Sequence, residues 1–290
     1  MDIDRPAVIV ALLTPLGDDG RLDTHALEAH VDDLVAAGVD GLMPCGTTGE
    51  SALLSDAETA EVVRATCRAA RGRVPVLAHV GRAGTVPTLE LARQAVEDGA
   101  AAVSAVVPYY YAAGPDQIRA HYATLLDGVD VPLYGYTIPE RTHNELEPAL
   151  LGALIADGMA GLKDSTKSIE RHREYAAAVQ AAGAPFDLFV GTASLVLDAL
   201  EAGSSGAVLA VANSNPELCA GLVRAVRDGD GDEARRLQDE LTAVEKEIHG
   251  AGTIPALKRR VAERLGTASY GTELRAPLGA AGTKALSPRA

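Results

Sequence analysis

The chain has 290 residues, 47% of them hydrophobic, and its 26 basic against 40 acidic side chains leave a formal net charge of −14. That supplies a sizeable core for one large α/β domain or two ordinary ones, and it must be aliphatic and alanine-rich because aromatics are 3% and tryptophan is absent. The acidic balance argues against a nucleic-acid or anionic-membrane surface, and any anionic substrate would need a local positive group.

Short aliphatic runs alternate with amphipathic stretches along the chain. Strands are expected at 7–13, 41–45, 75–80, 102–107, 132–136, 160–163, 188–190 and 206–211. Helices are expected at 25–37, 56–70, 86–98, 117–126, 145–156, 169–181, 195–202 and 216–227. Gly38, Gly99, Gly158, Gly183 and Gly203 stand where left-handed C-caps belong. Apolar strands alternating with helices imply a parallel sheet covered by helices. Eight such units match a closed (β/α)8 TIM barrel better than an open doubly wound sheet, whose Gly-x-Gly-x-x-Gly turn is missing after the first strand. Two further helices, 233–249 and 254–265, follow the eighth unit. The expected organisation is a barrel over 1–228 and a helical extension packed on it over 229–290, with a frayed tail from Gly279.

Cys45, Cys67 and Cys219 are too few and too widely spaced for a disulfide or metal framework, and they fit the cytosol. The acidic N-terminus lacks the pattern of a secretory signal, and no apolar run reaches the roughly 18 residues of a membrane span. The expectation is a soluble cytoplasmic protein. The histidines lack the spacings of a zinc site, so no metal is expected.

Barrel enzymes build their sites at the C-terminal strand ends. Strand six carries Lys163, alone at the end of an apolar run. Burial disfavours an ammonium, and the free amine can form a Schiff base with a ketone; the alternative is a lysine in a strand-end salt bridge. Strand two ends in Gly46-Thr47-Thr48-Gly49-Glu50-Ser51, which offers hydroxyls and backbone amides as a carboxylate cradle, or else caps the next helix. Strand three ends near His79, read as a satisfied rim histidine outside the catalytic set. Strand four runs into Tyr109, Tyr110 and Tyr111, which cannot all pack inward, so at least one faces a site or a partner subunit. Tyr136, on strand five, could pass protons to a substrate oxygen, or be a buried core tyrosine. Arg141, in the polar loop that follows, could hold a carboxylate, or be an ordinary surface arginine.

Four segments together, Gly46–Ser51, Val107-Pro108-Tyr109-Tyr110, Tyr136-x-x-Pro139-x-Arg141-Thr142 and Gly161-Leu162-Lys163-Asp164-Ser165, resemble the dihydrodipicolinate synthase / N-acetylneuraminate lyase family, in register over nearly the whole chain. The resemblance implies a homotetrameric barrel enzyme that handles pyruvate through a lysine imine, without metal or dissociable cofactor. It assigns the imine to Lys163, proton shuttling to Tyr136, its relay to Thr47, and the end of the relay to Tyr110 inserted from an adjacent subunit. Thr48 falls in the carboxylate pocket, which Gly191 and Val208 line.

The substrate pattern is mixed. Arg141 resembles the arginine with which the synthases hold aspartate semialdehyde. His79-Val80-Gly81 and the strand-four segment look lyase-like, but Ala193 and Ser194 stand where sialic acid lyases carry acidic residues. Asp56, Thr59 and Pro87 depart from the synthases' lysine-feedback site. Asp164-Ser165, Gly191-Thr192-Ala193-Ser194 and Ile254-Pro255-Ala256-Leu257-Lys258 resemble 2-oxo acid aldolases, which places Ser165 among the substrate-binding residues. The expected reaction joins a 2-oxo acid to a small polar or carboxylated aldehyde, or splits that product. The substrates would be of the 4-hydroxy-2-oxoglutarate or 2-keto-3-deoxy sugar acid type. Dihydrodipicolinate synthase activity is the alternative.

Overall fold

Every strand position is buried, so neither face shows the polar alternation of a solvated sheet. In the computed structural model, which describes residues 1, 4–266 and 270–279, the strands are β1 (Ala7–Ala11), β2 (Gly41–Met43), β3 (Leu77–His79), β4 (Ala102–Val106), β5 (Leu133–Thr137), β6 (Gly161–Asp164), β7 (Asp187–Val190) and β8 (Gly206–Leu209). All pair in parallel, in the order β2-β1-β8-β7-β6-β5-β4-β3. The two ends of that order meet through a bridge between Leu42 and Val76 and a bond from the His79 amide to the Pro44 carbonyl, 3.1 Å. The expected TIM barrel is therefore present.

Around it lie α1 (Thr24–Ala36), α2 (Asp56–Ala70), α3 (Thr85–Glu97), α4 (Pro115–Leu126), α5 (Pro139–Thr142), α6 (Pro148–Ala156), α7 (Ile169–Ala182), α8 (Val196–Glu201) and α9 (Pro216–Arg227). The five glycines expected to stop helices all have positive φ. The extension forms α10 (Gly231–Gly250), packed on α9, and α11 (Thr253–Leu265), packed on α10 and α1. Of the tail expected to fray, residues 280–290 lie outside the described residues.

Three local expectations need correction. The segment carrying Arg141 is not a loop but the one-turn helix α5. The following helix starts at Pro148, not 145: proline fits the first helical turn, and the Asn144 side chain is spent on the Pro108 and Tyr111 carbonyls and the Ala113 amide. Strand two also ends early, because Cys45 turns into the left-handed region at φ 58°.

Candidate active site

Lys163 stands directly opposite Tyr136 in the β5–β6 register, so both side chains enter the barrel from the same layer. The amine lies 4.2 Å from the centroid of the Tyr136 ring and 4.0 Å from Met43 Sδ, and the residue is 5% exposed. Among the described residues no carboxylate lies within ion-pair distance of it, so the salt-bridge alternative fails. Its neighbour Asp164 is no counter-ion, because successive strand residues face opposite sides. The Asp164 carboxylate points outward and bonds His172 Nδ1 at 2.8 Å and the Thr166 amide at 2.8 Å.

The Tyr136 hydroxyl lies 3.1 Å from Thr47 Oγ1, either oxygen serving as donor. Thr47 is carried by a turn in which the Gly49 and Ser51 amides bond the Gly46 carbonyl and the Glu50 amide bonds that of Thr47. None of these bonds uses the amides of Thr47 or Thr48. Nor does the turn cap α2, a task done by Ser55, which receives the Glu58 amide while Glu58 reaches back to the Ser55 amide. The helix-cap alternative for Gly46–Gly49 therefore fails, and the two hydroxyls are left to the site.

Lys163, Thr47, Thr48, Tyr136, Ser165, Gly191, Val208 and Arg141 line one cavity of about 430 Å³, in the range of small-molecule sites. Gly191 is needed for that space. A Cβ there would lie 2.1 Å from Ser165 Oγ and 3.3 Å from Lys163 Cε. Arg141 is exposed at the mouth, where Lys167 pairs with Glu140 on the same rim. Lys167 holds a left-handed φ of 62°, uncommon for a side-chain-bearing residue. An acidic protein thus carries two cations at this opening.

Tyr110 is the one candidate outside this cluster. It has φ 77°, is 82% exposed and packs edge-on to Tyr111, also exposed, with ring centroids 5.0 Å apart. Tyr109 instead lines a second chamber of about 290 Å³ that shares Thr47, Tyr136, Ile138, Arg141 and Ile254 with the first.

His79 also lines this second chamber, and its reading as a satisfied rim residue needs correction. It is buried, and Nδ1 lies 2.8 Å from the Cys45 carbonyl, an acceptor, so Nδ1 carries the proton. Nε2 then offers a bare lone pair and has no partner among the described residues. Desolvation, with the nearby Lys163 charge, lowers its pKa to about 3, so the ring is neutral at physiological pH.

Some cavity residues escaped the sequence reading. Glu245, His249, Thr253 and Ile254 line the mouth from the extension. Glu245 accepts the Ala193 and Ser194 amides at 3.0 and 2.9 Å, which fixes the loop after β7. Its i, i+4 spacing with His249 placed both on one helix face, but a polar face reads the same whether it meets solvent or a cavity. Among the described residues there is no cluster of three or more histidine, cysteine or acidic side chains placed to hold a metal, and no helix is long and apolar enough to cross a membrane.

The profile of the Dihydrodipicolinate synthetase family matches residues 5–287. The chain is 37% identical over 272 residues to a 4-hydroxy-tetrahydrodipicolinate synthase of Acidiphilium cryptum, covering 93% of this chain and 91% of that one. It is 37% identical over 279 residues to the enzyme of the same name from Thermomicrobium roseum, covering 96% and 91%. Among solved structures it is similar to YagE, a prophage protein of the dihydrodipicolinic acid synthase family from E. coli K12 in complex with pyruvate. There the TM-score is 0.89 and the identity 28%, over 93% of this chain and 91% of that one. The Aquifex aeolicus dihydrodipicolinate synthase gives a TM-score of 0.87 at 31% identity, over 94% and 91%. The chain belongs to the dihydrodipicolinate synthetase family and is a carbon–carbon lyase of the Schiff-base aldolase type.

Proposed function

We propose that Lys163 forms an imine with the keto carbon of pyruvate or another 2-oxo acid, and that the enzyme makes or breaks the bond to a small polar or carboxylated aldehyde. The observation that carries this is the Lys163 amine, buried with no carboxylate partner among the described residues, beside the Thr47–Tyr136 hydroxyl pair. The amine attacks the ketone, Tyr136 gives its phenol proton to the carbinolamine hydroxyl, and loss of water leaves a tyrosinate and a protonated imine that draws electrons from the adjacent methyl group. Tyr136, backed by Thr47, removes a methyl proton to give the enamine, and the enamine carbon attacks the aldehyde. Tyr136 returns the proton to the new alkoxide, and water releases the product and the free lysine. Cleavage is the same path reversed. The imine nitrogen is the electron sink, so the reaction asks for no metal or dissociable cofactor.

The 2-oxo acid carboxylate sits on Thr48 and the Thr47 and Thr48 amides, with Gly191 and Val208 closing the pocket. Arg141 and Ser165 hold the second substrate. Thr192, Ser194 and Thr253 also line the cavity, and their hydroxyl-bearing side chains favour a hydroxylated partner, of the 4-hydroxy-2-oxoglutarate or 2-keto-3-deoxy sugar acid type. Tyr110 completes the relay of a neighbouring copy in a homotetramer, a reading supported by its exposure.

A second reading, condensation of pyruvate with aspartate semialdehyde, is favoured by Arg141 at the mouth and by the names of the relatives. Pyruvate release from 4-hydroxy-2-oxoglutarate, 2-keto-3-deoxy sugar acids and N-acetylneuraminate, run beside condensation with aspartate semialdehyde, separates the two. Turnover confined to the condensation would replace the first reading with the second. Light scattering of the intact protein tests the tetramer.

A further inference from the structure

The turn that carries Thr47 ends in a residue that should not rest there by itself. Glu50 adopts φ 61° and ψ 29°, a left-handed conformation that side-chain-bearing residues avoid unless their surroundings impose it. What imposes it here comes from the far end of the chain. Glu50 Oε1 pairs with Lys258 Nζ of α11 at 2.7 Å, and both side chains are fully buried. The second oxygen, Oε2, accepts the Arg275 amide at 2.7 Å, and Lys258 spends a further donor on the Glu273 carbonyl at 2.5 Å. Arg275 then reaches the Glu58 carboxylate at 2.6 Å on the first turn of α2.

A buried ion pair is weak evidence for stability, because desolvation cancels most of the attraction and an apolar pair of similar volume often does as well. Its observable consequence here is geometric. The Arg275 amide bond to Oε2 and the Lys258 bond to the Glu273 carbonyl are directional, the Lys258 contact to Oε1 is a close charge pair, and together they hold a left-handed residue three positions from Thr47.

We propose that Glu50 and Lys258 are positioning residues for the Lys163 site, their ion pair locking the left-handed turn that sets the Thr47 hydroxyl against Tyr136. The C-terminal extension is then a working part of the active site, holding the loop after β2 from α11 as Glu245 holds the loop after β7 from α10. The catalytic consequence rests on the Schiff-base reading of Lys163; the structural one does not.

The test uses the full chain and two variants, Lys258→Met, which strands a buried carboxylate, and Glu50→Gln with Lys258→Met, which removes both charges. Thermal stability, amide hydrogen exchange in peptides spanning residues 46–53, and the rate of pyruvate labelling under borohydride are read in parallel. Lys258→Met should melt lower, and the double variant should recover most of that loss. In both, loop exchange should speed up and labelling slow down by about tenfold or more, since small misplacements of a catalytic group carry losses of that order. Exchange in peptides of β4, β5 and β6 should stay unchanged. A double variant that labels at the wild-type rate, or whose loop exchanges no faster, overturns the proposal. Should the unaltered chain take up no label at all, the Schiff-base reading fails, and the exchange measurement alone then confirms or overturns the role of the pair in holding the loop.

Discussion

Two lysines are buried among the described residues, and they sit in opposite surroundings. Lys258 is met by the Glu50 carboxylate and the Glu273 carbonyl, so its ammonium is matched on the protein side. Burial still pulls its pKa below the usual lysine range, and Glu50 works against that pull. Lys163, 5% exposed, is met by a thioether and the face of a tyrosine ring, and by a cavity. The barrel thus spends one buried lysine as a strut and leaves the other with its lone chemistry toward open space. Partnering, not burial, separates the two lysines, and on the proposed mechanism it separates a structural role from a catalytic one.

The widest expected contrast lies between the two lysines themselves. Lys163→Arg keeps a cation in place but supplies no nucleophilic amine, and Lys163→Ala supplies none either; both should abolish turnover. Lys258→Met should slow the reaction without ending it, so equal losses at the two positions would erase the distinction. Tyr136→Phe keeps the ring beside the amine and removes only the hydroxyl. It should cost about 10²- to 10⁴-fold in kcat, the range of general acid–base catalysis, and about 1 kcal/mol or less in stability. An unchanged kcat would place the proton carrier elsewhere.

Gly191→Ala tests the open space. Its methyl collides with Ser165 Oγ and crowds Lys163 Cε, an overpacking that costs about 1–3 kcal/mol. If even half of that falls on the bound state, KM for pyruvate rises about tenfold. An unaltered KM would mean that the 2-oxo acid does not sit against β7. Arg141→Ala should leave pyruvate labelling intact and raise KM for the second substrate by about 10- to 100-fold, the worth of a charge-assisted hydrogen bond. A variant with unchanged dependence on every second substrate would remove Arg141 from the site.

The last contrast concerns stability against pH, through His30, His79 and His121. Desolvation depresses His30 to about 4, His79 to about 3 and His121 to about 4. Below their unfolded value near 6.5 the unfolded chain binds protons that the folded chain refuses. Stability is therefore complete above pH 6.5 and lost as pH falls toward the folded values, by about 1.4 kcal/mol per pH unit for each histidine. Thermal melts between pH 7 and pH 5 report it, and His79→Gln should lessen the slope. A melting temperature indifferent to pH over that range would mean the rings are not held neutral.

Much of this was legible in the sequence because burial on both faces leaves unbroken apolar runs, as in Ala7–Ala11 and Gly206–Leu209. Once the barrel is inferred, its topology places Lys163, Tyr136 and Thr47 at one mouth without any contact being known. Helix α5 was not legible, because four residues are too few to show a period. The Glu50–Lys258 pair was not either: each residue falls in a segment that carries the family resemblance, but nothing local links a loop after the second strand to the last helix. Tyr110 shows the complementary limit: a run of three tyrosines says that at least one ring faces outward, and not what that ring meets.

The two-lysine contrast comes down to which amine reacts with pyruvate. Incubation with pyruvate and borohydride, followed by peptide mass spectrometry, should place the reduced adduct on the peptide containing Lys163 and nowhere else, with the label gone in Lys163→Ala. An adduct on the Lys258 peptide, a label that survives Lys163→Ala, or no label at all would contradict the account.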